Sequence, residues 1–311
     1  MPAMLKSYRN KSDITRAYIQ MHLSIILWGA TAVLGRGIQL SEGMLVWYRL
    51  IITSASLGIY IFISGRSFKV SKPMFWKLFG IGALLMVHWL FFYGAVKYSN
   101  VSVTLSVFSS TSLFTALIEP LMFKKKFDRT ELLYSFMAMA GIGIIFYSDN
   151  NSFTIGIVLA LLAAFLGAFF NILNKDVVGK VSSEVVSFYE IISGLIVLTL
   201  ILPAYIGYFK PEKLFPADSD WVMLFILAIA CTHVTLILSL NALKHLSAFT
   251  LNLNINLEPV YGIALAFLIF GENKNLNSGF YIGTAIIMLS VVLHSWFASR
   301  KTKQSVALIQ E

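Results

Sequence analysis

Long apolar runs alternate with short polar segments along almost the whole chain. Ten of these runs approach the 20 or so mainly apolar residues that a helix needs to cross a bilayer. They lie near residues 17–40, 43–63, 75–96, 100–122, 131–148, 153–174, 184–205, 219–243, 248–271 and 278–298, and the fifth is the shortest. The runs are too continuous for the alternating strands of a membrane β-barrel. The pattern predicts an all-α polytopic membrane protein with ten transmembrane helices.

Composition supports this class. Of the 311 residues, 58% are hydrophobic and only 13% are charged, which is too little charge to cover the surface of a soluble domain. The polar, basic residues 1–16 precede a run that is long enough to span, so we expect no cleavable signal peptide. The single cysteine, Cys231, lies inside the eighth run, so disulfides are expected to play no part.

The net charge of +9 is distributed over short loops. If the N-terminus is cytoplasmic, eighteen Lys and Arg residues fall on the cytoplasmic side and five on the opposite side, while Arg49 lies within a run. Cytoplasmic loops of membrane proteins carry this excess of positive charge. The charge therefore predicts orientation, with both termini cytoplasmic, and no nucleic-acid partner.

An internal repeat appears when the chain is shifted by 147 residues. Residues 93–126 then align with residues 240–273, and Ala95 and Lys97 fall on Ala242 and Lys244. Each half holds five runs, and because five is odd the second half must enter the membrane inverted. We predict two inverted five-helix repeats, residues 1–150 and 151–298, around a central cavity, with residues 299–311 as a cytoplasmic tail.

Several motifs resemble the EamA-type family of the drug/metabolite transporter superfamily. They are "LWGATAVLGRG" (27–37), "YGAVKYSNVSVTLS" (93–106) and "ALKHLSAFTLNLNINLEPVYGIALAFLIFGE" (242–272). The resemblance covers nearly the whole chain and implies ten helices in two inverted halves. It also implies movement of small metabolites, often outward, across a bacterial inner membrane. The fourth run departs from the pattern, with Ser112 where the second half has Pro259 and Lys125 where it has Glu272.

The ninth run carries an unusual row of polar residues, "TLNLNINLEP". Residues four apart share a helix face, so Asn252 and Asn256 lie on one side and Asn254 and Glu258 on roughly the other. Such a helix belongs inside the bundle, where its polar groups either line a cavity or bind neighbouring helices together. The hydroxyls of the fourth run, from residue 106 to 112, lie at similar depth and have the same two interpretations.

Other polar residues within the runs are interpreted individually. Arg49 and Glu190 are placed at different depths, so we expect no salt bridge between them and interpret each as an anchor of its own half. No cation is expected at the depth of Glu258, and this acid either carries a coupling proton or is only a polar lining residue. His88 is either packed or part of a site, and the resemblance implies that its helix lines the cavity. The predicted substrate-binding residues are Trp28, Thr31, His88, Trp89, Tyr93, Ser109, Asn171, Asn252, Asn256 and Glu258.

These features favour a secondary transporter, with export as the predicted direction, of small organic metabolites such as amino acids, working by alternating access. No nucleotide-binding P-loop occurs in the sequence. A nucleotide-sugar or sugar-phosphate exchanger is the alternative, although such anions favour more cationic residues than the runs provide. A membrane-embedded enzyme is less favoured, because neither Gly-x-Ser-x-Gly nor His-Glu-x-x-His is present, and so is a channel. We expect no cofactor and no metal; the expected partners are a small-molecule substrate and the lipid bilayer.

Overall fold

The computed structural model describes residues 11–124, 127, 129–148, 153–246, 248–255 and 257–307. Within these residues the regular secondary structure is helical, apart from one isolated β-bridge between Val178 and Val181. The α-helices are α1 (Lys11–Gly37), α2 (Glu42–Ile63), α3 (Lys72–Tyr98), α4 (Val101–Phe108), α5 (Thr111–Phe123), α6 (Arg129–Ser148), α7 (Thr154–Val177), α8 (Ser183–Phe209), α9 (Asp218–Phe225), α10 (Thr235–His245), α11 (Ala248–Ile255), α12 (Glu258–Phe270) and α13 (Ser278–Ala307).

Helix covers each of the ten predicted runs in the described part of the chain. Seven helical segments there are long and apolar enough to cross a membrane. The predicted fifth, ninth and tenth runs contain shorter apolar stretches of 10–17 residues, at 136–148, 258–270 and 278–290. The protein is therefore an integral membrane protein with several spans, and the number ten stays a prediction.

The fourth and ninth runs are each divided into two helices, where the sequence pattern suggested one. Helices α4 and α5 are separated at residues 109–110, and a turn at Leu257 precedes α12. The bounds of α12 equal those of α5 shifted by 147 residues at both ends. This is the shift that aligned the two halves of the sequence, so the interruption is a shared feature of both halves.

The local causes of the two interruptions differ. Pro259 is the second residue of α12, where a helix needs no donor from the backbone, so the proline follows the break instead of kinking a continuous helix. The first interruption contains no proline. There the hydroxyls of Ser109 and Thr111 donate to the carbonyls of Ser106 and Phe108, in each case three residues back, and such bonds compete with helical ones.

The eighth run also departs from regular α-helix. Between α9 and α10, residues Ile226–Val234 form a π-helix. The Thr232 hydroxyl donates to the carbonyl of Leu227, five residues back. Short π-helical segments are frequent at functional sites, because the wider turn redirects side chains.

Glu272, the acid of the "FGE" motif, joins the two halves of the chain. Its carboxylate accepts hydrogen bonds from the Val101 amide (3.1 Å), the Ser102 amide (2.9 Å) and the Ser102 hydroxyl (2.6 Å). These donors form the first turn of α4, where the helix dipole also favours a negative charge. The motif thus caps the interrupted helix of the other half.

Glycines allow the closest helix contacts. A Cβ at Gly82 on α3 would lie 2.7 Å from the carbonyl carbon of Glu190 on α8. On α1, a Cβ at Gly29 would lie 2.8 Å from the Cβ of Tyr261 on α12. Both contacts bring helices of opposite halves together around one interior region.

Candidate substrate cavity

A cavity of about 90 Å³ lies between helices of the two halves. Its walls include the residues that flank both helix interruptions, namely Phe108 and Thr111 in the first half and Ile255 and Glu258 in the second. These four residues form two pairs related by the shift of 147. The interruptions therefore bring equivalent positions of the two halves to one enclosed space.

Six of the ten predicted substrate-binding residues line this cavity. They are Trp28, Thr31, His88, Trp89, Asn171 and Glu258. Tyr93 is fully buried and does not line the cavity. Ser109 is buried and donates to the Ser106 carbonyl at 2.6 Å, so it stabilises the turn between α4 and α5. Residue Asn256 and the side chain of Asn252 lie outside the described part of the chain.

Arg49 lines the cavity, which its interpretation as an anchor of one half did not predict. Its Nε donates to the Thr232 hydroxyl at 2.7 Å and its Nη1 donates to the Tyr93 hydroxyl at 2.6 Å. The guanidinium carbon lies 3.8 Å from the ring centroid of Trp89, a cation–π contact. The remaining amino group, Nη2, makes no hydrogen bond to a described residue, so one face of this fixed cation remains available to a ligand.

Glu258 is the first residue of α12 and is 4% exposed. Its carboxyl group makes no hydrogen bond and no ion pair with another residue of the described chain. A cation from another helix, Arg49, lines the same cavity, whereas the sequence that flanks Glu258 supplies none. The cavity therefore contains one cation and one acid, without an ion pair between them within 4.0 Å.

Hydroxyl groups supply the other polar contacts of the wall. The Trp28 indole N–H donates to the Thr235 hydroxyl at 2.9 Å, and the Thr31 hydroxyl donates to the Trp28 carbonyl at 2.7 Å. The Thr235 hydroxyl lies 2.8 Å from the Cys231 carbonyl, to which it donates. Cys231, Thr232 and Thr235 were not predicted as site residues, because nothing in a run of single threonines distinguishes a cavity face from a packed one.

His88 is both packed against a neighbouring helix and part of the cavity wall, the two interpretations that the sequence left open. Its Nδ1 lies 2.8 Å from the carbonyl of Ala163, which can only accept, so this nitrogen carries the hydrogen. The ring lies beside Phe92 and Phe108, at centroid distances of 6.2 and 5.7 Å. The histidine is thus held by α7 and contributes an oriented ring to the cavity wall.

The remaining wall is mostly aromatic. Trp28, Trp89, Phe92, Phe108 and Phe170 surround the space between the cation and the acid. In the described residues no group of three or more His, Cys, Asp or Glu side chains is placed to hold a metal ion. Chemically, the cavity is suited to binding a small molecule that has an anionic group, a hydrogen-bonding or cationic group, and an apolar part.

Helical membrane proteins with interrupted helices around a central cavity form a class of transporters. The sequence profile of the EamA-like transporter family matches the chain twice, at residues 15–147 and 154–296. The chain therefore belongs to this transporter family, which is part of the drug/metabolite superfamily.

Two relatives carry names of the same kind. An "Uncharacterized transporter YxxF" of Bacillus subtilis (strain 168) is 23% identical over 298 residues, which cover 93% of this chain and 92% of the relative. An "Uncharacterized transporter" of Clostridium kluyveri is 23% identical over 212 residues, or 64% of this chain and 65% of the relative. A solved structure titled "Crystal structure of protein" has a TM-score of 0.67 at 17% identity and covers 92% of this chain and 98% of its own. This likeness supports the fold alone.

Proposed function

We propose that the protein is a secondary transporter of small zwitterionic metabolites, with amino acids as the leading class, and that it exports them. The observation that carries the proposal is the presence of opposite charges, Arg49 and Glu258, in the wall of one cavity. A buried charge without a partner is costly, so each of these groups favours a ligand that brings the opposite charge.

The geometry assigns a role to each wall. The free Nη2 of Arg49 binds the substrate carboxylate, and the arginine is already oriented by Thr232, Tyr93 and Trp89. Glu258 binds the ammonium group, and the aromatic wall contacts the apolar part of the molecule. The cavity volume of about 90 Å³ is well below the roughly 300–1,000 Å³ of pockets that enclose drug-sized ligands, which favours a compact substrate.

The same features argue against nucleotide sugars and sugar phosphates. A phosphate dianion favours two or more cationic groups, and Arg49 is the only Lys or Arg among the cavity-lining residues of the described chain. The carboxylate of Glu258 would repel such a ligand. A membrane-embedded enzyme has no specific observation in its favour.

Alternating access between two inverted five-helix repeats, residues 1–150 and 151–298, is the proposed mechanism. Two observations support it: the family profile matches each half separately, and both halves contain the same helix interruption at the cavity. Rocking of one half against the other would expose the cavity to each side in turn. The distribution of Lys and Arg supports cytoplasmic termini, and the bacterial relatives support an inner-membrane location.

The test uses the purified full-length protein in liposomes that contain an equimolar mixture of the protein amino acids and of sugar phosphates. Mass spectrometry follows which compounds leave. We expect selective loss of amino acids, and no such loss from liposomes with Glu258→Leu. Release of sugar phosphates without amino acids would refute the zwitterion assignment. The variant Glu212→Gln, an exposed loop substitution, is the matched control.

A further inference from the structure

A second polar cluster lies outside the cavity, on helices α7 and α8, both of which pack against α3. In the described chain, seven buried side-chain nitrogen and oxygen atoms lack a hydrogen-bond partner, and five of them belong to Asn174, Ser187 and Glu190. All three residues are 0% exposed. Buried polar atoms are nearly always paired, so this concentration is unusual. None of the three residues lines the substrate cavity.

The three side chains are neighbours. Ser187 and Glu190 are three residues apart on α8 and therefore share a helix face. The Asn174 amide of α7 lies beside the Glu190 carboxyl group, without a hydrogen bond of good geometry between them. Helix α3 packs against both α7 and α8, and the backbone of Glu190 lies against Gly82 of α3. The cluster is thus enclosed by three helices.

In the described chain no cation forms an ion pair with Glu190, and the charged and titratable groups of the surrounding helices are placed as follows. Arg49 of α2 binds Thr232 and Tyr93; Lys77 of α3 binds Asp176; His88 of α3 binds the Ala163 carbonyl; Lys175 of α7 binds the carbonyls of Leu243 and Leu246; Glu184 of α8 binds Arg66; Lys244 of α10 binds Asn241; and His245 lies at the last residue of α10.

We propose that Glu190, Asn174 and Ser187 form a proton-binding site whose loading and release accompany transport. An isolated carboxylate at full burial is so costly that the group is neutralised instead. Addition of one proton to a Glu190 oxygen gives a carboxylic acid. Its O–H can then donate to the Asn174 Oδ1, an acceptor that the carboxylate itself cannot pair. One proton thus supplies a donor between oxygens that are unpaired without it.

Helix α7 connects this site to the substrate. Asn171 lines the cavity, and Asn174 lies three residues further along the same helix, about 4.5 Å along its axis. A movement of α7 that follows substrate binding would therefore also change the contact between the amide and the Glu190 carboxyl group, and with it the proton affinity of that group. This link rests on the proposed function, whereas the proton site itself can be tested without any substrate.

The first experiment is infrared spectroscopy of the purified full-length protein through an acid-to-alkaline pH titration. We expect the carbonyl band of a buried carboxylic acid to titrate, and Glu190→Gln to remove one component of it. Glu212→Gln should leave the band intact. Asn174→Ala removes the paired amide and should move the pH midpoint of that component. A Glu190→Gln spectrum identical to that of the unsubstituted protein would overturn the proton site.

The second experiment measures amino-acid accumulation in liposomes under an imposed pH difference, with the membrane potential clamped. One coupled proton sustains about a tenfold concentration ratio per pH unit. We expect Glu190→Gln to reduce that ratio to about one while amino-acid exchange continues. Full accumulation in Glu190→Gln, or accumulation driven by sodium without a pH difference, would overturn the coupling. Failure of the unsubstituted protein to move amino acids would refute the proposed function, and the infrared band would then decide the proton site alone.

Discussion

Substitution of Gly82 by alanine tests how closely α3 and α8 must approach. A Cβ at position 82 would lie 2.7 Å from the carbonyl carbon and 2.8 Å from the Cα of Glu190, and nearer still to its carbonyl oxygen. Ordinary contacts begin at 3.4 Å, so the two backbones must separate by at least about 0.7 Å. A backbone atom has no alternative rotamer, so the helices themselves must shift. Overpacking of this kind typically costs about 1–3 kcal/mol.

Gly80 provides the matched control, because it lies on the same helix and is exposed. A Cβ there meets nothing within 4 Å. Both substitutions gain about 1 kcal/mol of helix propensity, so the difference between the two variants isolates the clash. The assay is the thermal unfolding midpoint of each purified variant, followed by the fluorescence of the six tryptophans. We expect Gly80→Ala at or above the unsubstituted protein and Gly82→Ala below it. Equal midpoints for the two variants would refute the close α3–α8 contact.

Three further predictions follow from the site and the charge pattern. Arg49→Lys keeps the charge but loses the fixed guanidinium fork, so the transport KM for amino acids should rise about 10–100-fold. A rise of this size corresponds to loss of a charge-assisted hydrogen bond of about 1.5–3 kcal/mol. An unchanged KM would show that the arginine does not bind the substrate. Glu272→Gln removes the charge that caps α4 and should destabilise the protein by about 1–3 kcal/mol in unfolding measurements, whereas Glu212→Gln should have no effect. In a cysteine-free background, an impermeant thiol reagent added to intact cells should label a cysteine at 213 and spare one at 180; the reverse result would invert the predicted topology.

The sequence was sufficient for the class of protein. Bilayer thickness imposes a minimum length on apolar helices, so ten runs could be located from hydropathy alone, and helix covers all of them in the described chain. The shift of 147 residues, which aligns few identities in the sequence, also relates the bounds of α5 and α12. Helix length and chain periodicity can be read from the sequence without knowing which helices contact each other.

The sequence also predicted much of the cavity wall, since polar or aromatic residues in apolar runs attract attention. Trp28, His88 and Glu258 were identified in this way and do line the cavity. Tyr93 and Ser109 have the same character, yet the first supports Arg49 and the second supports a turn. Residue type alone does not distinguish a lining group from one directly behind it.

Only the tertiary structure decided how the charges are arranged. Arg49 and Glu258 share a cavity because helices of opposite halves meet there, and a height estimated along each helix contains no information about that meeting. In the same way, Glu190 was known to be an acid within a run, but its unpaired state depends on where Asn174 and the surrounding cations point. Hydropathy and chain periodicity are properties of single segments, whereas the arrangement of charges depends on contacts between segments: Arg49 and Glu258, which line one cavity, are more than 200 positions apart in the chain.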